Sequence, residues 1–151
     1  MLVLGLALAG CGGGDDETIP TPLNKASGQG SIEGRVFAPT HGASQVMKSG
    51  TVNTVLSDLV LGCDAFAMTN PPKTGMFVQV QIAKAELGLA SRHMIMFSDF
   101  AHDLFGTGSS SGTVEVTDLS DASISLKIAY TDTIETRAFS LDGEFGVTRC
   151  P

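Results

Sequence analysis

Hydrophobic and polar residues alternate with a period of two along most of this chain, the pattern of strands that bury one face. It is clearest at Met76–Ala83, where Met76, Val78, Val80 and Ile82 alternate with Phe77, Gln79, Gln81 and Ala83; the two glutamines are expected to meet water. The same phase runs through Ser123–Tyr130, with Ile124, Leu126, Ile128 and Tyr130 on one face, and through Thr113–Leu119, with Val114 and Val116 inward. In Ala138–Cys150 the phase is kept by Phe139, Leu141, Phe145 and Val147, with Gly143 leaving a gap that suggests a bend. His93–Phe97 reads as a buried strand, and Ser44–Ser49 and Thr54–Ser57 as short ones. Ser31–Phe37 predicts a first strand with Ile32 and Val36 on one face, Glu33 and Arg35 on the other, and a bulge or close approach at Gly34. Turns are expected at Pro39–Gly42, Ser49-Gly50, Asn70–Gly75 and Ser120–Ala122, with a flexible tip at Thr107–Gly112. Leu61–Met68, with Cys63 near its start, and Ser98–Gly106, with Phe100, Leu104 and Phe105, have spacings that suit short helical turns; Lys84–Ser91 is ambiguous. The predicted class is mainly β: a single antiparallel β-sandwich or barrel-like domain with one or two short helical turns.

The first thirty residues break the alternation. Leu2–Ala9 is a continuous apolar run, far short of the ~20 residues that span a bilayer. Glycines, Asp15-Asp16-Glu17, Pro20, Pro22, Gly28 and Gly30 follow, and this composition predicts a disordered tether over residues 11–30. Between the two stands Leu8-Ala9-Gly10-Cys11, which resembles the lipobox of bacterial lipoproteins: a branched aliphatic residue, two small residues and a cysteine. The resemblance implies that residues 1–10 are a signal peptide that is removed. It also implies that the Cys11 thiol is diacylglycerated and that the new amino terminus is acylated. More than one acyl chain anchors a protein stably, where a single chain holds only marginally. Signal peptides normally open with a basic residue and Met1-Leu2-Val3 has none, so the sequence is expected to start at an internal methionine or to be a fragment. Gly12, where some bacteria use Asp for inner-membrane retention, favours the outer membrane, on either its periplasmic or its surface face. Asp15–Glu17 suits a solvated linker or a surface-sorting signal. Residues 31–151 form the β-rich domain.

With Cys11 assigned to lipid, Cys63 and Cys150 remain. An even pair in an exported protein reads as a disulfide, with two free thiols as the alternative; neither has a second Cys or His at metal-ligand spacing. The net charge of −7 argues against a nucleic-acid partner. The imbalance is concentrated after Ser98, with nine acidic and three basic residues. An acidic face built from Asp99, Asp118, Asp121, Asp132 and Glu135 is one expectation, and ordinary solvated acids are the other. Trp is absent and Tyr130 is the one tyrosine, so an aromatic platform for sugars or bases has little material.

The richest polar cluster is Ser98-Asp99-Phe100-Ala101-His102-Asp103. It holds the residue types of a hydrolase triad, but no Gly-x-Ser-x-Gly elbow exposes a serine. Asp99, His102 and Asp103 are weak metal candidates, joined by His41 and His93 only if the fold brings them close. Asp118 and Asp121 are too sparse for a calcium loop. Met94 and Met96 suit core filling better than a copper site. No cofactor is implied.

A second resemblance covers most of residues 31–151. Gly34-Arg35-Val36-Phe37, Val55-Leu56-Ser57-Asp58 followed by Cys63, Gly112-Thr113-Val114-Glu115-Val116, and Leu141-Asp142-Gly143-Glu144-Phe145 before Cys150 are similar to uncharacterised small β-rich lipoproteins of myxobacteria and other Gram-negative bacteria. That group implies no activity and no site residues, and it supports pairing Cys63 with Cys150. The expectation is a lipid-anchored envelope protein with a non-enzymatic binding, adhesion or structural role, whose partners are the membrane and an unidentified protein or glycan. The alternative is a hydrolase or metal-dependent enzyme using Asp99, His102 and Asp103.

Overall fold

The computed structural model describes residues 19–67 and 72–151; Leu8–Cys11, Asp15–Glu17 and Met68 lie outside the described residues. Twelve strands among them form one sheet. In chain order they are β1 (Lys25–Ala26), β2 (Gln29–Ile32), β3 (Arg35–Phe37), β4 (His41–Val46), β5 (Val52–Ser57), β6 (Met76–Ile82), β7 (Gly88–Leu89), β8 (His93–Asp99), β9 (Leu104–Ser109), β10 (Thr113–Leu119), β11 (Ser123–Ile134) and β12 (Arg137–Cys150). Two short 3-10 turns, Cys63–Ala67 and Phe100–His102, are the helical elements.

The long strand β12 joins two layers. One of its edges pairs with β11 from Ser123↔Thr148 to Ile134↔Arg137, and β10 and then β7 extend that layer. Its other edge takes β2 at Phe139–Asp142, β1 at Phe145–Gly146 and, in parallel, β4 at Thr148–Cys150. From β4 the sheet continues through β5, β6, β8 and β9 as the second layer. The layers face each other across one core: the Phe97 ring of β8 lies 5.1 Å from both Tyr130 of β11 and Phe139 of β12. β7 and β9, the two ends of the sheet, are not paired, so the structure is sandwich-like and not a closed barrel. The alternating phase is kept: Val78, Val80 and Ile82, Val114 and Val116, Ile124 to Tyr130, and Phe139 to Val147 supply buried side chains from both layers.

Several expectations are corrected. Ser31–Phe37 is a hairpin and not one strand, because Glu33 and Gly34 both take positive φ (52° and 81°) as its two-residue turn. Val36 is therefore 70% exposed while Ile32 is fully buried. The expected tip at Thr107–Gly112 begins as part of β9, so the helical turn after Ser98 ends at His102. Met94 and Met96 point out of the sheet and do not fill the core. At Gly143 (φ 137°) the gap is a close approach, since a Cβ there would strike Gly28.

The tether expected to reach Gly30 is also corrected. Thr21 is buried and donates its backbone N–H to the Leu61 carbonyl at 2.8 Å; Pro22 bridges His41, and Leu23 N–H donates to Thr40 O. Asn24 N–H then reaches Gly146 O, and β1 pairs with β12. Residues 21–26 thus occupy the gap where β4 and β12 diverge, satisfying backbone groups that would otherwise be left buried without partners.

After β5 the chain crosses the outer side of its layer, packing Leu59, Leu61 and Ala65 on Ala43, Val55 and Phe77. Cys63 at the start of the 3-10 turn is joined there to Cys150 at the end of β12, with Cα atoms 5.5 Å apart. The bond spans 87 positions and holds a segment with little regular structure of its own. Reduction, or Cys150→Ser, is expected to lower stability by up to about 4–5 kcal/mol by loop-closure entropy. Thermal denaturation with and without reductant checks this, and an unchanged Tm contradicts it.

Candidate functional site

The inward phase of β8 runs Ile95, Phe97, Asp99, so the strand ends by turning a carboxylate into the apolar interior. Asp99 is 1% exposed. Its Oδ1 accepts the Ala101 N–H and caps the following 3-10 turn. Its Oδ2 accepts from Arg35 Nε at 2.7 Å and lies 3.0 Å from His102 Nδ1, which must carry the proton when it faces an ionised carboxylate. Arg35 Nη2 also donates to Glu33 at 3.0 Å, and Arg137 Nε lies 3.1 Å from the other Glu33 oxygen. Arg137, Glu33, Arg35 and Asp99 thus form a chain of alternating charge, ending on the His102 ring, that links β12 and the β2–β3 hairpin to β8 in the facing layer. Burial alone raises the Asp99 pKa; hydrogen bonds from His102 and Arg35, with their charges, outweigh it and hold the carboxyl below its usual range.

The other members of Ser98–Asp103 do not join this centre. Ser98 Oγ accepts the Gly106 N–H at 3.0 Å. Asp103 ends the 3-10 turn in a left-handed conformation (φ 54°), with its side chain exposed. His93 stands at the opposite end of β8 and meets the Ser111 carbonyl, and His41, at the start of β4, meets Thr40 Oγ1. Among the described residues no hydroxyl or thiol contacts His102, and no three His, Cys, Asp or Glu side chains gather as a metal set. Asp99 Oδ2 is shared between the Arg35 guanidinium and the His102 ring, so its charge is already matched by Arg35.

The acidic face is corrected as well. Asp99 is interior, Asp118 and Asp121 flank the β10–β11 turn, and Asp132 and Glu135 lie toward the other end of β11, more than about 20 Å away at the usual strand rise. Asp132 has a separate task. It accepts from Ser109 Oγ at 2.6 Å and Ser111 Oγ at 2.8 Å, and Ser109 Oγ lies 2.9 Å from the Tyr130 hydroxyl. Hydrogen bonds from Ser109, Ser111 and the Thr133 N–H lower the Asp132 pKa, while burial raises that of Tyr130. This network ties β9 to β11 across the unpaired side of the sandwich. Nothing local in the sequence marks it beyond a serine-rich stretch, because Asp132 is 21 positions from Ser111.

Two adjoining cavities of about 200 and 190 Å³ open on the outer side of the β5–β6–β8 layer, sharing Ala65, Pro72 and Phe77 as walls. Val55, Met96 and Phe100 complete the first. Phe77, Phe100 and Phe105 form a line of rings beside it, at centroid spacings of 5.1 and 5.4 Å. On the other layer a wider, shallow groove of about 780 Å³ is lined by Ser27, Gln29, Ser31, Ser140 and Asp142.

No protein-family model, curated protein or solved structure matches the chain.

Asp99→Asn is expected to cost about 2–3 kcal/mol, because it removes the charge that Arg35 neutralises; Arg35 is 30% exposed and recovers part of that from water. Exchanging both partners for apolar residues, Arg35→Met with Asp99→Leu, should cost less than Asp99→Asn alone. Since the folded carboxyl has the lower pKa, its contribution is complete above about pH 4 and is lost as pH falls through the folded value. The stability gap between wild type and Asp99→Asn in urea should therefore shrink below pH 4, and a constant gap contradicts the assignment.

Proposed function

We propose that this chain is a bacterial envelope lipoprotein, held by acyl chains on Cys11 and exposing a disulfide-stapled β domain that binds or supports other envelope components without catalysing a reaction. The observation that carries the proposal is the distribution of its three cysteines. Cys63 and Cys150 are joined to each other, as suits an oxidising compartment, and the third ends the lipobox-like Leu8-Ala9-Gly10-Cys11. The outer membrane suits Gly12 after the cysteine. Support for a binding role comes from the apolar cavities beside Phe77 and Phe100 and from the polar groove along Ser31 and Ser140, either of which suits a protein or glycan partner. The enzyme alternative at Asp99, His102 and Asp103 draws on the 3.0 Å contact between Asp99 and His102, but that carboxylate is already paired with Arg35.

Metabolic labelling with an alkynyl fatty acid, in a Gram-negative host and behind a leader with a basic start, tests the anchor. Label is expected in the membrane fraction of the wild-type protein and absent from Cys11→Ser. Label that persists in Cys11→Ser, or none in the wild type, rejects the proposal.

A further inference from the structure

The two outer faces of the sandwich differ in charge. On β10, β11 and β12 the outward positions include Glu115, Lys127, Asp142 and Glu144; Glu115, Lys127 and Glu144 stand in one cross-strand row, and Lys25 closes on Glu144 at 2.7 Å. On β5, β6 and β8 the outward positions are Asn53, Val55, Ser57, Phe77, Gln79, Gln81, Met94, Met96 and Ser98, and none carries a charge; Ser57 and Phe77 are buried and Val55 packs under the crossing segment, so Asn53, Gln79, Gln81, Met94, Met96 and Ser98 make the accessible part of this face. The same side holds Phe100 and Phe105, the latter 56% exposed, and the crossing segment with Val60, 65% exposed. The charges at its border are Asp58 and Asp64 on that segment, Lys73 beyond it, and Arg92, which lines a recess with Gln81 and Met94.

The N-terminal chain enters the domain on this side. Thr21 is bonded to Leu61, and a Cβ on Gly62 would strike the Ile19 carbonyl, so Ile19, 81% exposed, leaves beside Val60. Cys11 lies eight residues earlier, a reach of at most about 28 Å. We infer that the uncharged β5–β6–β8 face, with Val60 and Ile19, rests against the headgroup layer of the bilayer that holds the protein, a partner of zwitterionic lipid. The inference rests on the proposed acylation of Cys11. The short reach keeps the domain at the membrane, and the exit of the chain places this face nearest to it. Turning the other face down would bring its carboxylates and Lys127 against lipid and lose their hydration. The uncharged face gives up little hydration and gains contact for Met94, Phe105, Val60 and Ile19.

Methionine oxidation reads this directly. Met94, 39% exposed, lies on the face, whereas Met47, 49% exposed, lies in the β4–β5 turn. The full-length lipidated protein in phosphatidylcholine–phosphatidylethanolamine vesicles and the Cys11→Ser protein in buffer are exposed to dilute peroxide, and sulfoxide at each position is followed by mass spectrometry. The same spectra show whether Cys11 carries acyl chains. Burial in the headgroup layer should slow oxidation of Met94 about fivefold or more relative to Met47 in the vesicle sample. An acylated Cys11 with an unchanged Met94 to Met47 ratio overturns the orientation and leaves the anchor standing. An unmodified Cys11 overturns both. Protection of Met94 in vesicle-free Cys11→Ser that grows with protein concentration assigns the face to a second copy and also overturns the inference.

Discussion

The structure depends on one strand having both edges paired. β12 holds β11 on one side and β2, β1 and β4 in turn on the other, so it belongs to both layers and every other strand is placed relative to it. That demand explains its composition. Its inward side chains, Phe139, Leu141, Phe145 and Val147, fill the space between the layers, and Gly143 and Gly146 let β1 and its flanking residues come close. It also explains the irregular course of residues 21–26. A parallel pairing with β4 at Thr148–Cys150 leaves the strands diverging, and the N-terminal segment supplies the missing backbone partners.

Around that strand the layers are tied by three chemically distinct contacts. The core supplies apolar area and the packed rings of Phe97, Tyr130 and Phe139. At one end, the charges from Arg137 to Asp99 fix how the β2–β3 hairpin meets β8; a buried ion pair of this kind adds geometric definition more dependably than it adds stability. On the unpaired side, Ser109, Tyr130 and Asp132 do the same with neutral hydroxyl donors and one carboxylate acceptor.

Much of this was legible in the sequence because a period of two survives any tertiary arrangement. Thr113–Leu119 was found with its bounds, and Val78, Val80 and Ile82 as the inward face of the strand expected at Met76–Ala83, from alternation alone; Phe77, on the opposite face, is buried by the crossing segment. Cys63 and Cys150 were legible as a pair on the lipobox resemblance, which implies that Cys11 is set aside for lipid. What failed was topology and turn chemistry. Gly34 marks a backbone that takes positive φ, but whether it serves a bulge or a two-residue hairpin depends on the register of β3, which seven residues cannot reveal. The β11–β12 turn was missed because Glu135 and Thr136 take positive φ (51° and 75°) with no glycine or asparagine to signal it. Proline and glycine at 20–30 pointed to disorder because composition reports local preference, and the partners that order Thr21 to Gln29 lie far along the chain, at Thr40–Gly42, Leu61 and β12. Asp99, the most polar member of a polar cluster, was legible as a candidate but not as an interior group, since its partner Arg35 is 64 positions away.

The way β12 collects its neighbours has a consequence for timing. Ser31 and Ser140, hydrogen-bonded across β2 and β12, are 109 positions apart, and the strand that orders the beginning of the domain is its last. A chain emerging amino end first can form the β4–β5–β6–β8 meander early and lay Thr21–Leu23 along Thr40–Gly42 and Leu61, but Asn24–Ile32 lacks its partner strand until Arg137–Cys150 has followed. Contacts this distant make folding slow. The Cys63–Cys150 bond needs that same segment, so it closes only after β12 has been made and has docked.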